Sequence, residues 1–431
     1  MIIRTRHSMA IGHACQERHP HAVRTRAGWL ASYGQPLRPQ GSAEVSFSKH
    51  PVWLAGFRPF FIITCLSGLA LPIIWALLFA GAIGLPYSRY SIVQWHAHEM
   101  FFGFGWALLG GFLLTATKNW VKIRGYHGGA LVFLAAAWCF ERIGMSFGGN
   151  WPQPLFLLSN QLFLVSVTGM LLWSLLRHRA ADSYRRDNLY FILVLPLFIV
   201  AKPLMLSADY GQAGTLMVLG LFRVCFLIML ERTLSEFMRG VFKVDILRNT
   251  LLDGSIKLLG LAVVFAGFLP PLLSAGLAVA LALLLVVRLA FWRPLLACSR
   301  IDLGIMYLAC LVIAGQLLVA ASEVTGYSSW IGNFSIHLFS FGVMGLIIPA
   351  MIIRISRGHT GRKVMFDATD KGVLWIMILA LALRVIAPQL VPASYRTWID
   401  LAAACWFIGF GVLAWRSTPM LLRPRIDGRE H

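Results

Sequence analysis

Apolar stretches of about 20 residues alternate with short polar segments along most of the chain. A helix of that length crosses roughly 30 Å of hydrocarbon, so each stretch is a predicted membrane span. The predicted spans are 60–84, 95–117, 128–147, 153–176, 188–207, 213–231, 256–273, 275–292, 303–322, 332–353, 372–390 and 397–415. This pattern predicts an all-α fold, a polytopic transmembrane helical bundle of about 12 spans.

The seventh and eighth predicted spans are the pair with the weakest boundary. Only Pro270, Pro271 and a few small residues separate them. Fusion of the two into one re-entrant hairpin would lower the count to ten or eleven spans.

The composition supports a membrane environment. Hydrophobic residues make up 58% of the 431 residues and charged residues 13%, and the mean hydropathy is +0.72. Soluble domains carry about 25% charged residues, so this chain lies outside their range. The chain is therefore predicted to be an integral membrane protein.

Lysine and arginine residues predict the orientation of the bundle. They concentrate in alternate polar segments, and the segments between hold only Arg89 and Arg396. Short cytoplasmic loops are rich in Lys and Arg, so the alternation places both termini in the cytoplasm. The net charge of +20 is then a topology signal and an attraction to anionic lipid. It does not indicate nucleic-acid binding, because the charge is divided among many short loops.

Three segments follow from these patterns. Residues 1–55 form a basic cytoplasmic tail that is predicted to be disordered, residues 56–418 form the membrane domain, and residues 419–431 form a second basic cytoplasmic tail. The first tail holds a group of metal-ligating residue types whose spacing matches no closed metal site. This group is His7, His13, Cys15, His19 and His21.

Two histidines and a glutamate open the second predicted span, in VQWHAHEMFFGFG at Val93–Gly105. Polar groups in hydrocarbon are costly unless they are satisfied, so these residues are functional candidates. Residues two apart on a helix point about 200° from each other, which turns His96 and His98 to different sides. His96 shares its side with Glu99 and a stripe of small residues, which lets a helix or a flat cofactor approach. We predict that His96 faces into the bundle.

His337 lies at a similar predicted depth, at the outer end of the tenth span. Two histidines on different helices at one depth are the arrangement that holds a haem iron from both faces. The same pair with a third histidine or a methionine would suit copper. Glu99 would accept a hydrogen bond from a ligand histidine and fix its tautomer. The alternative is interfacial histidines that hydrogen-bond to water or to a carbonyl group.

A glycine-rich basic turn, RISRGHTGRK at 354–363, follows the tenth span. Gly358 and Gly361 flank His359 and predict a tight turn with exposed backbone N–H groups. Such a turn suits a propionate, a phosphate or a lipid headgroup, and its alternative role is a loop that sets topology. The basic side chains beside it are Arg354, Arg357 and Arg362.

Other charged residues lie within predicted spans. They are expected to pair inside the bundle, either in proton or ion transfer or as structural ion pairs. They are Glu141, Arg142, Lys202, Arg223, Glu231, Arg232 and Arg384.

Five segments together resemble the signatures of the NnrS family. They are GFRPFF (56–61), WHAHEMFFGF (95–104), GGFLLTATKNW (110–120), FSFGVMGLIIPAMIIR (339–354) and GHTGR (358–362). The family consists of bacterial twelve-span membrane proteins that bind haem and copper and are associated with nitric oxide and denitrification. The resemblance implies a protein of the bacterial inner membrane whose partner is nitric oxide or a metal-nitrosyl species.

The resemblance also implies the metal ligands. The family's histidine motifs fall on four positions, which would be the haem or copper ligands: His96, His98, His337 and His359. Glu99, Arg354 and Arg362 are expected to support them. One segment departs from the family pattern, because ERTLSEFM at 231–238 stands where a segment like GRVIPxFT is expected.

Two other classes of membrane protein share a twelve-span layout. A haem-copper oxidase subunit also needs copper-binding histidines in spans six and seven, and those spans contain none. A secondary transporter without haem would need a substrate site near the midplane, whereas the histidines lie near the predicted outer edge. A haem- and copper-binding protein is the favoured hypothesis, with the transporter as the alternative.

Overall fold

The computed structural model describes residues 47–429. These residues form a helical bundle without a strand, which confirms the predicted all-α membrane fold. The main helices are α1 (Phe57–Phe79), α2 (Ile92–Trp120), α3 (Gly129–Phe147), α4 (Gln153–Arg177), α5 (Asn188–Leu206), α6 (Gly211–Phe242), α7 (Thr250–Val263), α8 (Pro271–Phe291), α9 (Ile301–Val324), α10 (Phe334–His359), α11 (Ala368–Leu390) and α12 (Tyr395–Leu421).

Eleven of these helices, within residues 47–429, are long and apolar enough to cross a membrane. The exception is α7, whose 14 residues extend only about 21 Å. A turn and a short 3-10 helix, Ala266–Phe268, prolong it. The prolonged segment lies along α6, because Lys257 is 3.0 Å from Glu231 and a Cβ on Gly267 would lie 2.7 Å from Ala213 Cα. The seventh predicted span is thus a short, broken helix that follows about 27 Å of α6.

Helices α2, α6 and α10 occupy the centre of the bundle. In α2 83% of the most apolar stretch is buried, and in α6 and α10 72%, against 33–56% in the other long helices. Around them α1 packs mainly on α12, α5 on α6, α8 on α9, and α11 on α12. Small residues permit the closest approaches, as at Gly68, where a Cβ would come within 2.6 Å of the Phe410 ring.

The chain before α1 packs on the bundle from residue 47 onward. Two short 3-10 helices, Phe47–Lys49 and Pro51–Trp53, precede α1. The Trp53 carbonyl accepts a hydrogen bond of 2.7 Å from the Gly128 N–H, and Val52 is buried. Residues 1–46, with most of the predicted tail and its group of histidines and Cys15, lie outside the described residues.

The segment after α12 folds back onto the bundle. The Arg58 guanidinium donates hydrogen bonds of 2.7 Å to the carbonyls of Leu421 and Arg423. The Ile426 N–H donates to the Thr360 carbonyl at 3.2 Å. The described part of the predicted second tail therefore packs on α1 and on the turn after α10. This end of the bundle, where α1 begins and α12 ends, is called the basic end below.

Gly214 is predicted to be required for the packing of α6 on α5. A Cβ at this position would lie 2.2 Å from Met205 N and 2.4 Å from Leu204 C, which are backbone atoms that cannot move independently of α5. We expect Gly214→Ala to lower the free energy of unfolding by about 1–3 kcal/mol through overpacking. The measurement is the Tm of the detergent-purified protein.

The matched control is Gly169→Ala, in α4, where nothing lies within 4 Å of an added Cβ. Alanine favours the helix over glycine, so the Tm should stay the same or rise slightly. Equal Tm values for the two variants would contradict the close approach of α5 and α6.

Candidate functional site

Within residues 47–429, three membrane helices each contain one π-helical turn, and all three turns lie toward the end opposite the basic end. They are Glu99–Gly105 in α2, Ser340–Met344 in α10 and Ala382–Ile386 in α11. A π turn has i→i+5 hydrogen bonds and changes the direction in which the neighbouring side chains point. Such turns are frequent at functional sites, and here they surround one cavity.

The cavity has a volume of about 740 Å³ and lies between eight of the twelve helices. This volume falls in the range of about 300–1,000 Å³ that is typical of sites for small molecules and cofactors. The candidate ligating and charged groups in its wall are His96, Met100, Glu323, His337, Met344 and Arg384. Residues of α2 and α10 that were predicted to lie at one depth are therefore brought to one cavity.

His96 is held against the wall by an aromatic stack. Its ring lies on the indole of Trp75 from α1, with ring centres 4.0 Å apart and planes 20° from parallel. The His96 Nδ1 atom is buried and has no hydrogen-bond partner among residues 47–429. A buried polar atom without a partner is uncommon, and an imidazole nitrogen in this state is suited to bind a metal.

His337 is oriented by the backbone of its own helix. Its Nδ1 lies 2.7 Å from the carbonyl oxygen of Asn333, which can only accept, so Nδ1 carries the proton. The lone pair is then on Nε2, and Nη2 of Arg384 lies 3.1 Å from that atom. Ligand histidines commonly donate their other N–H to a carbonyl group in this way, so His337 also fits a metal.

The donor set of the cavity combines imidazole with thioether groups. No group of three or more His, Cys, Asp or Glu residues that could hold a metal occurs in the part of the chain that the structure describes. Two imidazoles, His96 and His337, and two thioethers, Met100 and Met344, line the cavity instead. Two imidazoles suit haem iron, and imidazole with thioether suits copper.

His98 does not reach the cavity. It is fully buried on another side of α2, where Nδ1 lies 3.1 Å from Glu99 Oε1 and Nε2 lies 3.1 Å from Glu141 Oε1. The predicted divergence of His96 and His98 is therefore observed. Both ring nitrogens of His98 face carboxylates, which leaves neither directed toward His96 or His337.

Glu99 supports His98 and not His96. Its carboxylate accepts from Nδ1 of His98 and lies 2.8 Å from Nε of Arg142 in α3. Regular helical spacing placed Glu99 on the side of His96, and that expectation was wrong. The π turn that begins at Glu99 widens the helix, so the residue three positions after His96 no longer lies on its side.

His98 belongs to a buried ionic cluster at the junction of α2, α3, α4 and α5. The Lys202 ammonium contacts Glu141 Oε1 and the Asn160 carbonyl, and Arg142 Nη2 lies 3.2 Å from Glu141 Oε1. Lys202 and Glu141 are fully buried. The expected pairing of charged residues inside the bundle is thus found here, and Glu141 is the acceptor that its neighbours share.

His359 lies at the basic end, about 33 Å along α10 from His337. Its ring packs against Phe57, with ring centres 5.3 Å apart, and its carbonyl accepts from Arg425 at 3.0 Å. Arg425 also pairs with Asp427 and holds the pKa of that carboxyl at about 2. The structure therefore does not bring His359 to the cavity.

The arginines of the turn after α10 have separate partners. Arg354 lies 3.0 Å from Asp302 and over the ring of Phe237, and Arg357 lies 2.6 Å from Asp370. Arg362 donates to the Thr360 hydroxyl at 2.8 Å and has no carboxylate partner among the described residues. Carboxylates thus compensate two of the three arginines that were predicted to attract an anion.

Three features of the cavity were not predicted from the sequence. They are the Trp75 stack, the Asn333 carbonyl that orients His337, and the approach of Arg384 to His337. The sequence did indicate a role for Arg384, because it is a charged residue within a predicted span. The other two depend on which helices are neighbours, which the sequence pattern does not specify.

The fold and the cavity define a polytopic helical membrane protein with two histidines from different helices at one internal site. The family model described as NnrS protein matches residues 51–425. The match covers most of the chain, so this protein belongs to the NnrS family, as the sequence motifs indicated. A search of curated proteins gives no match.

Lys202 is predicted to be essential for stability, because it compensates Glu141 in the buried cluster. Lys202→Met removes the ammonium and leaves the carboxylate buried with fewer partners. We expect a loss of about 3–5 kcal/mol of unfolding free energy, as for other broken buried pairs. Arg239→Met is the control, since Arg239 pairs with Glu236 and Asp245 at an exposed site, and its Tm should be unchanged. A Tm for Lys202→Met equal to that of the control would contradict the role of the cluster.

Proposed function

We propose that this NnrS family protein binds haem and copper in the bacterial inner membrane and acts in the response to nitric oxide or in denitrification. The supporting observation is that His96 and His337, from two helices, line one cavity, and that neither uses both ring nitrogens in bonds to a carbonyl or a carboxylate. A metal on Nε2 of His337 would replace the hydrogen bond from Arg384. Nδ1 of His96 has no partner among the described residues, and Nε2 of His337 carries the lone pair. The family match supports the same proposal.

His96 and His337 would hold the haem iron. Trp75 fixes the ring plane of His96, and the Asn333 carbonyl fixes the tautomer of His337. Bound haem iron or copper would supply electron transfer or a binding position for nitric oxide or a metal-nitrosyl species. Because both imidazole rings are already oriented, metal binding loses less side-chain conformational entropy.

The same pair of imidazoles together with a thioether would hold copper when haem does not occupy the cavity. Met344 is nearly fully buried, and Met100 also lines the cavity. Thioether sulfur is a soft donor that favours copper over hard cations. His98 and His359 stay predicted ligands by family resemblance, although the first is held in the ionic cluster and the second lies at the basic end.

Aromatic side chains would exclude water from the metals. Phe104 and Trp406 are almost fully buried, with ring centres 5.3 Å apart. The ring centre of Phe341 lies 5.2 Å from that of Trp406. All three side chains line the cavity. A low-dielectric wall of this kind affects the redox potential of a bound metal and limits side reactions.

The basic end would attract anionic lipid. Polar segments at this end carry most of the lysine and arginine residues, and a basic surface beside a bilayer binds anionic headgroups. A secondary transporter is less well supported. The cavity is lined in part by the 328–333 loop, whereas transporters bind substrate near the bilayer midplane.

Replacement of either cavity histidine is predicted to remove most of the haem. We expect the purified protein to show a Soret band with sharp reduced bands, and His96→Ala and His337→Ala each to lose most of the haem per protein. The control is His127→Ala, because His127 is exposed in the segment before α3. Absorption spectra with iron and copper analysis provide the measurement.

Two results would contradict different parts of this proposal. Unchanged haem content in both variants would refute His96 and His337 as ligands. A colourless wild-type protein without iron or copper would refute the cofactors altogether and favour a transporter.

A further inference from the structure

Arg384 is a buried cation in the wall of the cavity. Only 7% of its surface is exposed, and it lies in the π turn of α11. No carboxylate among residues 47–429 lies within 4.0 Å of its guanidinium, although Glu323 lines the same cavity. By contrast, the buried cations Lys202, Lys257 and Arg288 each lie within 4.0 Å of a carboxylate. Arg223 of α6 is also buried without a carboxylate partner among residues 47–429, but it does not line the cavity.

The hydrogen-bond partners of Arg384 among the described residues are neutral. Its Nη2 donates to the Tyr395 hydroxyl at 3.2 Å and to Nε2 of His337 at 3.1 Å. Its guanidinium carbon also lies 5.4 Å from the ring centre of Tyr395. His337 presents its Nε2 lone pair here, so it accepts from Arg384 without compensating its charge.

A guanidinium has five N–H donors, and these contacts use only Nη2. Nε and Nη1 make no hydrogen bond to the described residues, while the side chain lines a cavity of about 740 Å³. A buried charge is costly unless an opposite charge and hydrogen bonds compensate it. The arrangement leaves room for one negatively charged group in the cavity.

We propose that Arg384 forms an anion-binding subsite of the cavity, for a planar carboxylate or a small planar oxyanion. The flat fork of a guanidinium matches two oxygens of such a group. The anion has two possible sources, a carboxylate of a bound haem or a free small anion. The first source rests on the proposed function, and the second requires only the cavity.

The first experiment uses the metal-free protein. Sodium nitrite and sodium formate are titrated into it by calorimetry, with chloride held constant. Wild type should bind at least one of them saturably, and Arg384→Gln should weaken that binding about tenfold or more. Arg384→Lys should retain part of it, because it keeps the charge but not the fork. Arg89→Gln, which removes the same charge from a loop at the same end, should bind as wild type does.

The second experiment compares haem with haem dimethyl ester, which lacks the free carboxylates. If haem supplies the anion, wild type should bind haem about tenfold or more tightly than the ester. Arg384→Gln should lose that preference and should still bind the ester. Arg384→Lys provides a folded comparison should Arg384→Gln prove unstable, and it should show a reduced preference.

The outcomes distinguish a haem carboxylate from a free small anion as the ligand of Arg384. They also test the anion-binding subsite separately from the proposed binding of haem. Anion binding that depends on Arg384 in the metal-free protein supports the subsite even if wild type binds no haem. A preference for haem over its ester that depends on Arg384 supports the haem carboxylate as the source. The subsite is overturned if replacement of Arg384 changes neither anion affinity nor the preference for haem over its ester.

Discussion

The contact of Glu141 with Lys202 is the interaction on which the site depends most. Both side chains are fully buried, so neither charge reaches water, and the contact joins α3 to α5 at a position that His98 of α2 also reaches. Because His98 and Glu99 are both tied to α3, the rotation of α2 about its axis is set. That rotation directs His96 to another side, where the cavity lies.

Charge compensation also distinguishes the basic end from the cavity. At the basic end, arginines are compensated by aspartates, as with Arg354 and Asp302, and by aromatic rings. In the cavity, the described residues supply Arg384 with no carboxylate, and His96 Nδ1 has no partner. A buried charge without an opposite charge, or a buried polar atom without a hydrogen bond, is suited to bind a ligand or cofactor.

The π turns explain how these groups converge. A regular helix repeats every 3.6 residues, so side chains on one face follow a predictable stripe. Each π turn interrupts that stripe, in α2 directly after His98, in α10 three residues after His337 and in α11 at Arg384 itself. Spacing along the sequence therefore predicted the separation of His96 from His98, which precedes the interruption, and misplaced Glu99, which begins it.

The sequence by itself determined the membrane environment, the helical fold and the position of each polar residue along its helix, because these follow from the length of apolar stretches and from position within them. It left open whether segment 256–273 is a full span, and the structure shows a short broken helix there. Only the tertiary structure decided that His96 and His337 share a cavity, that His98 and His359 lie elsewhere, and that Arg384 faces His337. Those results depend on which helices are neighbours and how each is rotated. Packing and buried charge pairs between distant parts of the chain set both, and no local pattern encodes them.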